Sequence, residues 1–315
     1  MAEQVIAVVG PTAAGKSGFG IALAHALGGE IINADSMQLY RGMDIGTAKL
    51  TPERRGGVPH HLLDIWDVTQ TASVAGYQRL ARAAIAAIHA RDRVPILVGG
   101  SGLYIRAALD DLKFPRTDPG VRRRLEAELA RAGPGPLHGR LAGLDPRAAA
   151  SILPSNGRRI VRALEVIELS GQPFSATMPG YQSLYPSVQL GLRLDRAELD
   201  ARIAARAARM WQEGFAAEVR ELARRGLADG LTASRALGYA QLLRHLAGEC
   251  TAAEALAETV RATRKFARRQ ESWFGRDPRV VWLDAGLAAP DLLAAALATI
   301  GACGSPKGTA PRTTS

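Results

Sequence analysis

The 315-residue sequence predicts an α/β fold: a phosphate-loop parallel-sheet core carrying a helical insertion. Three observations lead there. Short continuous apolar runs alternate with helix-period segments, as in a parallel sheet covered on both faces. The first run opens directly onto GPTAAGKS at 10–17, a Gly-x4-Gly-Lys-Ser phosphate loop between strand and helix. From about Lys113 strand-like runs stop, and they resume only at Val188.

In order along the chain, Gln4–Val9 (QVIAVV) is a buried strand. Lys16–Leu27 has helical period and stops at Gly28-Gly29. Glu30–Asn33 reads as a second strand delivering Asp35 just past its end, and His61–Ile65 as a third. Tyr77–Ala90 is an amphipathic helix, and Val94–Val98 a buried strand running into Gly99-Gly100-Ser101-Gly102. The stretch 113–187 is helical and polar, with eleven Arg/Lys against six Asp/Glu. Beyond the strand Val188–Leu194 lie two long helical patterns, Ala197–Arg225 and Ala252–Gly275, and a last strand, VVWLD at 280–284. The core is therefore assigned to 1–112 and 188–300, and the insertion to 113–187. Residues 301–315, rich in Gly, Pro and Thr, are read as a disordered tail.

Composition narrows the function classes. No apolar run is long enough to span a membrane, and MAEQVIAVVG lacks a basic leader and enters a strand at once. The two cysteines, Cys250 and Cys303, match no metal or disulfide spacing, which fits a reducing cytoplasm. A net charge of +10 and a pI near 10.2 favour a polyanionic partner. Only five of the 40 basic residues are lysine, so part of the bias reflects arginine-rich coding. Where the charge sits matters more than its sum.

In a parallel α/β sheet, loops at the carboxyl ends of strands gather in one cleft. Gly10–Ser17, Asp35 and Ser101 all fall at such ends. The loop amides and the helix start form a nest for phosphate oxygens, Lys16 adds a point charge, and Ser17 can ligate Mg²⁺. No guanine-specifying N-K-x-D is present, and a Walker-B-like run ends only weakly at Asp64 (HLLD). The loop thus reads a diphosphate and requires no nucleoside pocket. Asp35 is a candidate metal holder or general base, with Asp64 and Asp67 as competitors and a turn residue as the plain alternative. Arg158, Arg159 and Arg162 share a helix face that Asn156 can cap. Arg261, Arg264/Lys265 and Arg268/Arg269 form a second stripe beside Trp273 and Phe274. Such stripes track a phosphate backbone or are simply solvated faces. Arg202 and Arg206 make an i, i+4 pair that spacing alone assigns to solvent. His60-His61 reads as a loop pair without a third ligand at zinc spacing.

GPTAAGKS, DSMQLYRGMDIGTAK, VGGSGLY, RRIVRALEV, ALGY and ARRQESWF, in that order, together resemble the bacterial tRNA dimethylallyltransferases, or tRNA isopentenyltransferases, over about residues 4–284. The resemblance implies transfer of a dimethylallyl group from its diphosphate to the exocyclic amine of adenosine 37 of tRNA, beside the anticodon. By it, Gly10, Pro11, Thr12, Ala13, Ala14, Gly15, Lys16 and Ser17 hold the diphosphate, and Ser17 its Mg²⁺. Asp35 corresponds to the general base, and Lys16, Ser17, Ser101 and Arg206 complete the catalytic set. Asp35, Ser36, Met37, Gln38, Ser101 and Arg122 correspond to tRNA contacts. So do Arg158, Arg159, Ile160, Val161 and Arg162 of the insertion, which grips the anticodon stem-loop, and Arg235, Gly238, Tyr239, Arg268 and Arg269. A cytoplasmic monomer without membrane contact is implied. The sequence departs from the pattern at Ser17 and Ser101, where many members carry threonine, at Gly275, where arginine is usual, and in the Gly- and Pro-rich 133–136 stretch. The alternatives are a prenyltransferase acting on free AMP or ADP, a phosphate-loop kinase with a basic lid, and a non-catalytic RNA binder. The long basic C-terminal half argues against a free-nucleotide acceptor.

Overall fold

A computed structural model describes residues 3–177 and 180–304. These form two compact units, Met1–Leu109 with Ser183–Ser315, and Asp110–Gln182. Both boundaries fall a few residues N-terminal to those read from the sequence.

In the first unit, β1 (Val5–Val9) leads through the phosphate loop into α1 (Lys16–Leu27), followed by β2 (Gly29–Asn33), β3 (His60–His61), α2 (Val74–His89), β4 (Val94–Val98) and α3 (Gly102–Leu109). In the second, α4 (Pro119–Ala132), α5 (Pro134–Leu144), α6 (Pro146–Ser151) and α7 (Gly157–Ser170) follow. The chain returns to the first unit with β5 (Ser187–Arg193), α8 (Arg196–Gln212), α9 (Phe215–Arg224), α10 (Tyr239–Leu246), α11 (Ala252–Phe274), β6 (Val280–Asp284) and α12 (Ala289–Gly304).

The described strands make one parallel sheet in the order β3-β2-β4-β1-β5-β6. Every residue of β1 is buried, because a central strand covered on both faces can use a continuous apolar run. Ile6, Val8, Leu23, Ile96, Leu190 and Leu199 belong to one core cluster. β1 and β2 are separated by β4, so the phosphate loop, Asp35 and Ser101 leave from three adjacent strand ends.

Several boundaries differ from the sequence reading. The segment 197–225 is two helices: Gly214, at φ 97°, breaks it, a left-handed position that glycine adopts without strain. Helix α2 starts at Val74 because the Ser73 hydroxyl accepts the Gly76 N–H. The third strand is His60–His61, paired with Ile31 and Ile32, so Asp64 does not end a strand. Residues 301–304, read as part of the tail, belong to α12, which runs to Gly304; 305–315 lie outside the described residues.

The second unit has its own core of Leu125, Leu137, Leu141, Ile152, Ile160 and Leu164 among others. Its prolines start helices: Pro119, Pro134 and Pro146 each sit in a first turn, where the missing N–H has no helical partner to lose.

Candidate active site

The phosphate loop is held in a shape that only its sequence permits. Gly10, at φ 132°, lies so close to β5 that a Cβ there would sit 2.6 Å from the Leu192 carbonyl oxygen. Gly15 is at φ 90° and Ala13 at φ 67°; the latter is a strained conformation for a residue with a side chain. Ser17 stands in the first turn of α1, whose N-terminus faces the cleft.

Lys16 folds back so that Nζ donates to the Pro11 carbonyl at 2.6 Å. Burial lowers its pKa to about 8, against the opposing pull of the Asp35 carboxylate, and the nearby Arg206 lowers it further. Arg206 reaches the same place from α8. It donates to Thr12 Oγ1 at 3.3 Å and to the Thr47 carbonyl at 3.4 Å. Burial pulls its guanidinium below the ordinary arginine value, while Asp35 raises it. Two desolvated cations thus share one carboxylate, which leaves the cleft positively charged and suited to an anion. Arg202 lies outside it, exposed and paired with Glu198. The solvent-facing role that spacing alone gave the pair holds for Arg202 and fails for Arg206, which the family resemblance had assigned to the catalytic set.

Asp35 follows β2 in a turn fixed by side chains. Asn33 Oδ1 accepts the Asp35 N–H at 2.9 Å, Asn33 Nδ2 donates to the carbonyls of Asp35 and Leu62, and Asp35 Oδ1 accepts the Met37 N–H at 2.9 Å. Ser101, beyond β4, accepts the Ser36 N–H on Oγ at 3.3 Å. The two turns touch because Gly99 has no side chain: a Cβ there would lie 2.2 Å from the Ala34 carbonyl oxygen. Lys16, Ser17, Asp35, Gln38, Thr47 and Arg206 are among the residues lining a cleft of about 790 Å³. Apolar side chains, Ile21, Ile45, Val98 and Met210, line it as well.

The competing carboxylates are committed elsewhere. Asp64 pairs with Lys49 at 2.6 Å, and Lys49, with 3% of its side chain exposed, also binds Asp44 at 2.7 Å. Asp67 is 3.4 Å from Arg225. His60 sits at the cleft with its pKa lowered by burial, and His61 bonds Glu30 at 2.6 Å. They occupy a strand and not a loop. Among the described residues no group of three His, Cys, Asp or Glu is placed to hold a metal.

The residues expected to touch RNA divide sharply. Arg158, Arg159, Arg235, Arg268 and Arg269 are exposed. Ile160 and Val161 are buried in the core of the second unit, and Tyr239 is fully buried, so their side chains offer no surface to RNA. Gly238 is packed on Phe215, which a Cβ would meet at 2.5 Å. Arg122 and Arg162 both turn onto Glu165, whose side chain has no exposed surface. Burial alone would raise the Glu165 pKa, but these two partners outweigh it and hold the carboxyl below its usual range. Arg162 also donates to the carbonyls of Pro115 and Arg116. Its helix offset matched a phosphate-tracking stripe, but its role is to hold the unit together.

Two functional side chains escaped the sequence reading. Gln270 is 5% exposed. It accepts the Thr12 N–H at 2.8 Å and donates to the Gly100 carbonyl at 2.9 Å, tying α11 to the phosphate loop. Its position inside ARRQESWF pointed to RNA contact. Glu218 binds the backbone of 44–46, and nothing in its surroundings in sequence signals that.

The family model for IPP transferase matches residues 38–277. A tRNA dimethylallyltransferase from Thermobifida fusca is 69% identical over 303 residues, 95% of this chain and 94% of that one. Among solved structures, the full-length tRNA isopentenylpyrophosphate transferase from Bacillus halodurans superposes with a TM-score of 0.73 at 41% identity, covering 96% of each chain. A eukaryotic dimethylallyltransferase acting on tRNA gives 0.76 at 26% identity, covering 90% of this chain and 74% of that one. The chain belongs to the IPP transferase family.

Proposed function

We propose that the protein transfers a dimethylallyl group from dimethylallyl diphosphate to the exocyclic amine of adenosine 37 of tRNA, giving isopentenyladenosine and diphosphate. The observation that carries this reading is that Lys16 and Arg206 both reach the phosphate loop, at Pro11 and Thr12, in a cleft that Asp35 also lines, in a chain of this family. An exocyclic adenine amine is a weak nucleophile, so departure of the diphosphate must drive the reaction. As the allylic C–O bond breaks, negative charge grows on the diphosphate. Lys16, Arg206 and the loop amides are fixed charges and dipoles aimed at it. The amine nitrogen forms the new N–C bond, and Asp35 accepts its proton. The adenosine leaves its stack to reach the cleft, where Ser36, Met37, Gln38 and Ser101 meet it. The apolar lining suits a prenyl chain better than a nucleoside.

Mg²⁺ fits these residues. It takes few protein ligands and prefers to arrive with phosphate oxygens. The Ser17 hydroxyl, with the diphosphate itself, would hold it. When bound it supplies further positive charge to the leaving group. The tRNA contacts fall on Arg158 and Arg159 in the second unit and on Arg235, Arg268 and Arg269 in the first, all exposed. No helix among the described residues is long and apolar enough to cross a membrane.

Incubation with dimethylallyl diphosphate, Mg²⁺ and tRNA in ATP-free buffer tests the proposal. The expected result is an isopentenyl mass shift on one tRNA nucleoside. No shift, or strict dependence on ATP, overturns it; transfer to free AMP instead of tRNA would identify the other prenyltransferase class.

A further inference from the structure

The segment after β2 brings Asp35 and Gln38 to the cleft, yet 34–52 contains no helix or strand of its own. Its backbone is held from outside. Glu218, on α9, accepts the N–H of Ile45 at 2.7 Å and of Asp44 at 3.1 Å on Oε2. Its Oε1 accepts the N–H of Gly46 at 3.2 Å and the Tyr239 hydroxyl at 2.6 Å. Three consecutive amides aimed at one point form an anion nest, here filled by a carboxylate distant in sequence. Burial, and next the Glu218 charge, hold the Tyr239 hydroxyl well above its ordinary pKa, so it stays a donor. Gly46 lies flat on two rings: a Cβ there would sit 2.2 Å from Phe215 and 2.5 Å from Tyr239.

The next residue carries the consequence. The Thr47 carbonyl accepts from Gln38 Nε2 at 3.1 Å and from Arg206 at 3.4 Å. One backbone oxygen therefore aligns a group on the expected acceptor side and a cation on the diphosphate side. Glu218 is not among the residues lining the cleft.

We infer that Glu218 is a positioning residue for the transfer reaction: by filling the nest at 44–46 it sets the Thr47 carbonyl, and through it both Arg206 and Gln38. This rests on the transfer reading above. Replacement by glutamine keeps the shape but turns an N–H group toward donors that need an acceptor. Misplacement of about 1 Å can cost on the order of 10²-fold in rate.

The test compares wild type, Glu218→Gln, Glu218→Ala and Tyr239→Phe. Single-turnover transfer, inorganic diphosphate affinity by calorimetry and melting temperature are measured, with assays run well below melting. Glu221→Gln is the control, since Glu221 is exposed on the same helix and pairs only with Arg224 among the described side chains. Expected are a roughly 10–100-fold slower transfer and weaker diphosphate binding in both Glu218 variants, a smaller loss in Tyr239→Phe, and none in Glu221→Gln. Formate should restore Glu218→Ala, by filling the empty nest, but not Glu218→Gln. Unchanged rates and diphosphate affinity overturn the inference. So does a loss that follows melting temperature alone and ignores formate, which would be a purely structural role. Should Glu218→Ala not fold, Glu218→Gln and Tyr239→Phe still decide it. If wild type binds diphosphate but transfers nothing to tRNA, the transfer reading fails, and the effect of Glu218 on diphosphate affinity still settles this inference.

Discussion

Arg206, on α8, donates to the hydroxyl of Thr12 in the phosphate loop at 3.3 Å, so the C-terminal helices supply a cation to a loop built by the first strand. Replacing Arg206 with Gln removes that charge while keeping a donor. Transfer should slow by about 10²–10³, with weaker diphosphate binding. Arg202→Gln, four residues earlier and exposed, should leave both unchanged; unaltered transfer and diphosphate binding in Arg206→Gln would return Arg206 to the solvent-facing role that its spacing suggests.

Lys16 makes the site sensitive to alkaline pH. Its pKa in the free protein is about 8, and a bound diphosphate stabilises the charged form. Donor affinity is therefore full below about pH 8 and weakens above it, by up to about tenfold per pH unit, until the raised pKa of the complex is passed. Calorimetry across that range should show proton uptake on binding. Lys16→Met should lose both the affinity and its pH dependence. The sign for folding is opposite to that for binding. The unfolded chain keeps this proton to near 10.5 and the native chain releases it near 8, so stability from this group rises with pH between the two. Lys16→Met should therefore melt higher than wild type at neutral pH; a lower melting temperature would contradict the burial cost.

The arginines of the insertion should separate by partner. Arg158→Ala with Arg159→Ala should weaken tRNA binding and reduce its salt slope by roughly 0.7–0.9 per lost phosphate contact, without moving the melting temperature. Arg162→Ala leaves a buried carboxylate with one partner fewer and should destabilise the fold by about 1–3 kcal/mol, with a smaller change in salt slope. If Arg162→Ala altered only the salt slope, its pairing with Glu165 would be incidental.

Legibility in the sequence followed the range of the forces. The phosphate loop and the apolar runs of β1, β2, β4 and β5 are local patterns, and they named the fold and put Lys16 and Asp35 in one cleft, with Ser101 bonded to the turn after Asp35. The break at Gly214 was hidden because the helical period continues across it, and only its φ of 97° reveals the turn. The roles of Gln270 and Glu218 could not be read locally: the first is buried and the second half-buried, and each is satisfied by backbone far along the chain. Arg162 and Arg206 were misjudged from spacing for the same reason. A helix offset gives the face of a charge but not what packs against that face. Asp64 looked like a strand end until its partner, the buried Lys49, was visible.

Asp35 as the general base is the central claim, and single-turnover transfer by Asp35→Asn against Asp64→Asn tests it most directly. Asparagine keeps the size of the side chain and the Met37 N–H contact at Oδ1 but cannot take the amine proton. With both substrates bound, Asp35→Asn should slow transfer by about 10²–10⁴ and raising Mg²⁺ should not restore it. Asp64→Asn should loosen Lys49 and cost stability, while transfer below the melting temperature persists. Intact transfer in Asp35→Asn, with transfer abolished in Asp64→Asn, would contradict the assignment.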